Sequence, residues 1–248
     1  SPKQIKQLPS IGGDADIAQY LPVLPGIVST GDQGGQIYIR GGAPVQNKIM
    51  IDGMTIFNPF HSIGIFSVFE TEAIKTIDVN SAGFNVEHGG RVSAIVDIKT
   101  KDGNKKRFGG VVGVSPFNAK AVLEGPLVKL NEEKAFSSSF LVSYKRSLLD
   151  LTSKSLYSYI NKDGLPFSFE DYYGKINFGF DNGSKIDVFG FKFKDRVDYT
   201  KSTNFLWDNA GGGINFVLNP TGSNFNIAVN ANLTNYSIQL NELEQNPR

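Results

Sequence analysis

The chain reads as mainly β: a mixed α/β unit over residues 1–105, then antiparallel strands over 106–248. Three observations predict this. Between Ile37 and Ile98, glycine-rich turns repeatedly lead into short apolar, β-prone runs. Beyond the charged stretch 101–107, apolar and polar residues alternate with period two in segment after segment. Glycine (27) and phenylalanine (19) are abundant, yet no run approaches ~18 apolar residues, so any membrane crossing must use strands.

In the first unit, Asp14 is placed to cap a short helix that runs to Tyr20, and Pro25-Gly26 stops it. Asp14 and Asp16 read as caps in preference to a calcium pair. Ile27–Ile39 encloses a glycine-rich loop, Gly31-Asp32-Gln33-Gly34-Gly35. The run Ile37–Ile39 ends in Arg40-Gly41-Gly42, and a second run, Lys48–Ile51, ends in Asp52-Gly53. Glycines there let the backbone turn at positive φ or approach a wall closely. Ile63–Glu70 fits a helix or a turn. Ala73–Asn80 and Val92–Thr100 read as strands, with His88 a turn residue before Gly89-Gly90.

About seven strands follow, near 108–115, 118–124, 136–146, 169–180, 185–194, 207–218 and 223–240. Phe225, Ile227, Val229, Ala231 and Leu233 alternate with Asn226, Ala228, Asn230, Asn232 and Thr234, which puts grease on one face and mostly asparagine on the other. Phe140, Val142 and Tyr144 alternate likewise, as do Ile176, Phe178 and Phe180 and, less cleanly, Ile214, Phe216 and Leu218. Lys185–Lys194 changes phase at Val188-Phe189, which predicts a bulge or a misread strand edge. Gly211-Gly212-Gly213 within a strand predicts relief of crowding or a bend. Tight turns are predicted at 181–184 and 219–222, and long connections at Ser147–Ser168 and Asp195–Leu206. Short turns on one side with long loops on the other is the outer-membrane barrel pattern, although a soluble sandwich also alternates.

Several pieces in fixed order carry a resemblance: Leu8-Pro9-Ser10 through Asp16, Leu24-Pro25-Gly26, Ile39-Arg40-Gly41-Gly42, Ile51-Asp52-Gly53, Asn58-Pro59, Ala73-Ile74 and His88-Gly89-Gly90. Together they resemble the N-terminal plug of a TonB-dependent outer-membrane receptor, in the form common among Bacteroidetes. Leu123-Glu124-Gly125-Pro126-Leu127 and Phe136–Asp150 look like the early barrel of the same family. The resemblance implies a plug domain over 1–105 and the first part of a transmembrane β-barrel over 106–248. Enclosing a plug takes about 22 strands. An open sheet in lipid would leave edge groups unpaired at several kcal/mol each, so seven strands read as part of a larger wall.

The resemblance further implies an importer of a scarce or large nutrient in the outer membrane of a Gram-negative cell. TonB would act through a segment N-terminal to this chain; Ser1-Pro2-Lys3 looks like an internal start. By position, Asp32, Gln33, Phe57, Asn58, Phe60 and His61 are candidate substrate contacts on outward loops, and plug–barrel packing is the competing role. Arg40 and Arg91 are candidate plug–barrel locks. Outer-membrane lipid, and a surface lipoprotein or envelope-complex subunits, are the other partners implied. Two rival readings stay open: a receptor-like barrel serving as a non-transporting subunit of an envelope complex, and a secreted soluble β-rich binding domain.

Other chemistries find little support. Net charge is +1, and Arg40-Gly41-Gly42 is a single copy, so no nucleic-acid partner is expected. Cysteine is absent, which excludes disulfides, thiolate metal sites and a cysteine nucleophile in this chain. The two histidines, His61 and His88, have no metal-ligand spacing. No nucleophile elbow, phosphate loop or dinucleotide fingerprint occurs, so neither an enzyme nor a cofactor is expected.

Overall fold

The computed structural model describes the chain apart from residues 1–4, 6, 8–14, 30–35, 62, 63, 65, 82, 85–88, 131–134, 157, 160, 161, 163, 200–202, 223 and 243–248. Asp14, the loop Gly31–Gly35 with Asp32 and Gln33, and His88 lie outside the described residues.

The N-terminal unit carries a one-turn helix, α1 (Ile17–Tyr20). Its cap is Asp16, whose carboxylate accepts from the Ala18 amide at 2.8 Å. A 3-10 turn at Leu21–Val23 carries the chain to Leu24, and the short strands β1 (Ile27–Ser29) and β2 (Ile37–Ile39) pair antiparallel. The main sheet has four strands: β3 (Asn47–Ile51), β4 (Met54–Thr55), β5 (Ile74–Asn80) and β6 (Ala94–Thr100), in the order β4-β3-β6-β5. β3 and β6 run parallel and the other pairs antiparallel. Asp52 closes the β3–β4 turn at φ 49°, with its carboxylate taking the Thr100 amide at 3.0 Å. That bond to β6 fixes the turn in place, and aspartate is among the few non-glycine residues that tolerate a left-handed conformation.

No helix forms among the described residues of 63–70. His61 and Phe66 pair by backbone, as do Pro59 and Val68, so 59–68 is a closed loop, followed by a 3-10 turn at Thr71–Ala73. Its side chains explain the departure from a helical reading: Phe66, Ser67, Val68 and Phe69 are all buried, leaving no polar face for a surface helix.

The second region is one seven-stranded antiparallel meander, in the order β7 to β13. The strands are β7 (Gly109–Val114), β8 (Asn118–Val128), β9 (Phe136–Ser147), β10 (Phe167–Phe180), β11 (Lys185–Tyr199), β12 (Thr203–Leu218) and β13 (Ile227–Glu242). A helix, α2 (Leu149–Leu156), stands in the β9–β10 connection. A strand of 16 residues is ~53 Å long, enough to cross an apolar band of ~25 Å at a barrel tilt of ~45°.

Two expectations are overturned. The pairing of β10, β11 and β12 is unbroken through Val188-Phe189, so there is no bulge there. The apolar set changes face because Phe189, Phe191 and Phe193 point inward onto the first unit, whereas Val188 points outward. A register shift instead lies at Pro126/Val128 in β8. The long connection expected over Asp195–Leu206 is mostly strand, since β11 runs to Tyr199 and β12 starts at Thr203. Connections therefore do not sort by length: 115–117, 148–166 and 200–202 lie at one end, 129–135, 181–184 and 219–226 at the other.

The outer face carries a continuous apolar row. Phe140, Ile176, Val188, Ile214 and Ala231 stand opposite one another across five strands. Four residues toward one end, Tyr144 and Tyr172 lie 4.9 Å apart; four toward the other, Phe136 and Phe180 lie 6.3 Å apart. Aromatic pairs flanking an apolar belt are the girdle arrangement of a transmembrane wall.

Candidate functional site

The candidate site is the seam where the N-terminal unit meets the inner face of the wall. Its middle is apolar: Met54, Leu141, Tyr173, Phe189, Phe191 and Phe193 share one buried cluster. Two of the wall rings, Phe191 and Phe193, stack at 4.5 Å, and Phe69 meets Phe193 edge-on at 6.5 Å.

Toward the end of the wall that holds the 148–166 connection, the seam turns ionic. His61 Nε2 donates to Asp171 Oδ2 at 2.9 Å, and His61 Nδ1 lies 3.8 Å from Asp195 Oδ2. Lys145 Nζ lies 3.6 Å from the same Asp171 oxygen and donates to the carbonyls of Ser67 (2.6 Å) and Phe69 (3.3 Å). The His61 ring stacks on Phe169 at 3.8 Å, which shields the cluster from water. Burial alone would push His61 down, but the Asp171 and Asp195 carboxylates overcome it and hold the imidazole up to about 9. Asp16 belongs to the same cluster: burial raises its carboxyl above the usual range, against the pull of Lys145.

Toward the other end lies a second network. The Asp52 carboxylate accepts from the Thr100 hydroxyl at 2.7 Å and from the Tyr173 hydroxyl. Lys175 Nζ stands between Asp52 (3.5 Å), Asp102 (3.4 Å) and Asp187 (3.9 Å). Asn215 donates to the Asp52 carbonyl at 2.9 Å. A chamber of about 750 Å³ opens beside it, lined among others by Lys48, Lys75, Asp97, Asp102, Lys185 and Asn230. Where the chain crosses from one unit to the other, Gly103 at φ 83° lets the backbone pass the Phe140 carbonyl, which a Cβ would approach to 2.3 Å.

The sequence-predicted residues divide. His61 is buried in the seam against Asp171 and Phe169 of the wall, whereas Phe60, also buried, lines the same cleft as Phe57 and Asn58. Phe57 is 51 % exposed, its ring 6.1 Å from that of Tyr236, and Asn58 is half-buried beside it. Both border a cleft of about 190 Å³ whose lining carries no charged side chain. Arg40 is exposed at φ 47°, and Arg91 donates to the Gly90 carbonyl at 3.1 Å; neither reaches a wall carboxylate among the described residues. Sequence reasoning missed Lys145, Asp171, Lys175, Asp187 and Asp195. The signal was present, because each falls on the inward phase of its strand, where a lone charge needs a partner.

Residues 3–95 match the family model described as the TonB-dependent Receptor Plug Domain. The N-terminal unit is a TonB-dependent receptor plug. Such plugs belong to outer-membrane receptors, which are transporters and not enzymes. No curated protein matches the chain by sequence. Among solved structures it is similar to the outer-membrane transporter YddB from Escherichia coli (TM-score 0.61, 14% identity, covering 94% of this chain and 38% of that one). It is similar also to a mutant of the ferric enterobactin receptor PfeA from Pseudomonas aeruginosa (0.57, 14%, 98% and 40%). A third is the FrpB iron transporter from Neisseria meningitidis (0.59, 16%, 96% and 38%). At these identities the likeness is one of fold, and it extends through plug and wall together. The chain spans about two fifths of each of these proteins.

Proposed function

We propose that the whole protein is a TonB-dependent receptor that binds a scarce or large nutrient at its outer face and imports it, with residues 1–105 closing the lumen behind a wall that begins at 106. The observation that carries this reading is the seam. A plug is held against the inner face of a meander by buried ion clusters at both ends and an apolar middle, while the outer face of the same strands carries an apolar belt between aromatic pairs. A soluble sandwich has no use for greasy outer residues such as Leu233, 81% exposed.

On this reading energy arrives through TonB, acting N-terminal to the plug. Phe57, Asn58 and Phe60, together with Asp32 and Gln33, are the ligand contacts, and His61 holds the plug to the wall. Arg40 and Arg91 serve as further locks toward barrel carboxylates. The test is expression of the full-length gene in its own Gram-negative host. Recovery in the outer-membrane fraction, with nutrient-limited growth that depends on both this gene and TonB, is the expected result. Growth indifferent to TonB, from a correctly inserted protein, would sink the import reading in favour of a structural subunit.

A further inference from the structure

The His61 cluster is not isolated from the start of the chain. One buried carboxylate, Asp16, serves two segments at once. Its Oδ1 caps α1 by accepting from the Ala18 amide at 2.8 Å, and its Oδ1 and Oδ2 both accept from the Ser67 amide, at 3.0 and 3.1 Å. The other side of the same peptide stretch faces the wall, where the Ser67 carbonyl takes Lys145 Nζ at 2.6 Å. Lys145 in turn neighbours Asp171, which holds His61. Ser67 and His61 sit on one loop, closed by the His61–Phe66 and Pro59–Val68 backbone bonds. A second tie runs parallel, from the Thr71 hydroxyl to the Ala15 carbonyl at 2.7 Å. Asp16, Ser67, Lys145, Asp171 and His61 are all nearly inaccessible to water, so a break at any link leaves a buried polar group unpaired.

We infer that Asp16 is a coupling residue: through Ser67 and Lys145 it links the N-terminal segment of the plug to the His61 latch on the wall. This rests on reading the protein as a TonB-dependent receptor, in which force reaches the plug from its N-terminal side. Displacing the segment that carries Asp16 removes the acceptor of the Ser67 amide. The 59–68 loop then loses its inner anchor, and the Lys145 and His61 contacts have nothing holding them in register. The coupling is reciprocal. A solute that moves Phe57 and Asn58 shifts the same loop and loosens Asp16 from the wall side. Both ends of the relay thus bear on a single short loop that has a closed arrangement in this structure.

The test uses the full-length receptor in outer-membrane vesicles. With any cysteine elsewhere in the full-length protein replaced, Asn58→Cys places one thiol beside the 59–68 loop, and its maleimide labelling rate reports how often the seam opens. Asp16→Ser keeps an N-cap oxygen for α1 but cannot span both amides. Asp16→Ser and His61→Gln should each raise labelling on the order of tenfold, and the double variant should label no faster than the quicker single one. Resistance of the barrel to unfolding in SDS confirms assembly. If Asp16→Ser fails to assemble, Asp16→Gly is read in the same way, since glycine is tolerated at an N-cap but offers Ser67 no side-chain acceptor. Unchanged labelling in the Asp16 variant, or effects that multiply in the double variant, would overturn the coupling. Labelling reports the seam and TonB-dependent uptake reports transport, so the coupling and the import reading fail separately.

Discussion

Met54 of the plug rests against Gly211 of the wall so closely that a Cβ on Gly211 would come within 2.9 Å of the Met54 sulfur. The same Cβ would meet the Leu233 carbonyl at 2.8 Å and the Phe191 ring at 2.9 Å. A thioether can swing aside, but a ladder carbonyl cannot. Gly211→Val should therefore destabilise the seated plug by about 1–3 kcal/mol, as overpacking of a filled core does. Denaturant unfolding of the intact protein would register the loss. Passage of a large antibiotic normally excluded by the outer membrane should rise in cells carrying the variant.

The His61 latch has a defined pH window. Its imidazole is held up to about 9 in the fold against an ordinary 6.5. A raised folded value means the stabilisation is fully present below the unfolded value and is lost as pH rises through the folded one. Plug attachment should thus be flat from pH 5.5 to 6.5 and weaken progressively toward pH 9 and beyond. The facing groups are Asp171, Asp195 and Lys145. Labelling of the 59–68 loop against pH would trace the change, and His61→Gln should flatten the profile over that range.

Much of this architecture was legible in the sequence because period-two alternation is imposed by a wall with two different solvents. Phe140, Val142 and Ile176 on one phase, and Ser139, Lys145 and Asn177 on the other, declare the sheet in the sequence itself. Alternation misled at Phe189, Phe191 and Phe193, where the inner solvent is the plug itself and the inward phase turns greasy. The partners of His61 were not legible. Asp171 and Asp195 lie more than a hundred residues away, and only the register of β10 against β11 brings Asp171 and Phe193 opposite and Asp195 two residues beyond. The cap of α1 is Asp16, which directly precedes the helix and reaches the Ala18 amide.

At the opposite end of the seam, Asp52 accepts from the Thr100 amide, the Thr100 hydroxyl and the Tyr173 hydroxyl. Tyr173→Phe removes one of several donors and should cost only about 1 kcal/mol. Asp52→Ala leaves Lys175 buried with Asp102 and Asp187 as its remaining counter-charges, and should cost about 3 kcal/mol. Equal effects of the two substitutions in denaturant unfolding would show that the Lys175 charge is already satisfied without Asp52.

Arg40 is offered as a lock and not as a core element, and its exposure sets the expectation. Arg40→Ala should leave assembly and thermal unfolding unchanged while lowering uptake or admitting antibiotics. Unchanged uptake together with unchanged exclusion would remove the lock role.

The outer face supplies the sharpest contrast between lipid and water. Leu233 projects outward from β13, two residues from Ala231 in the apolar row. Gln239 projects from the same face of the same strand, six residues nearer the end that carries the 148–166 connection. In a membrane wall a lysine near the midplane costs about 2–4 kcal/mol and falls toward zero at the interface. Leu233→Lys should therefore sharply reduce recovery in the outer-membrane fraction and the stability of the protein refolded into lipid vesicles, and Gln239→Lys should change neither. In a water-facing sheet the order reverses, because removing an exposed leucine relieves a sticky patch and improves solubility. The depth dependence, and not the size of either effect alone, is what identifies the solvent on that face.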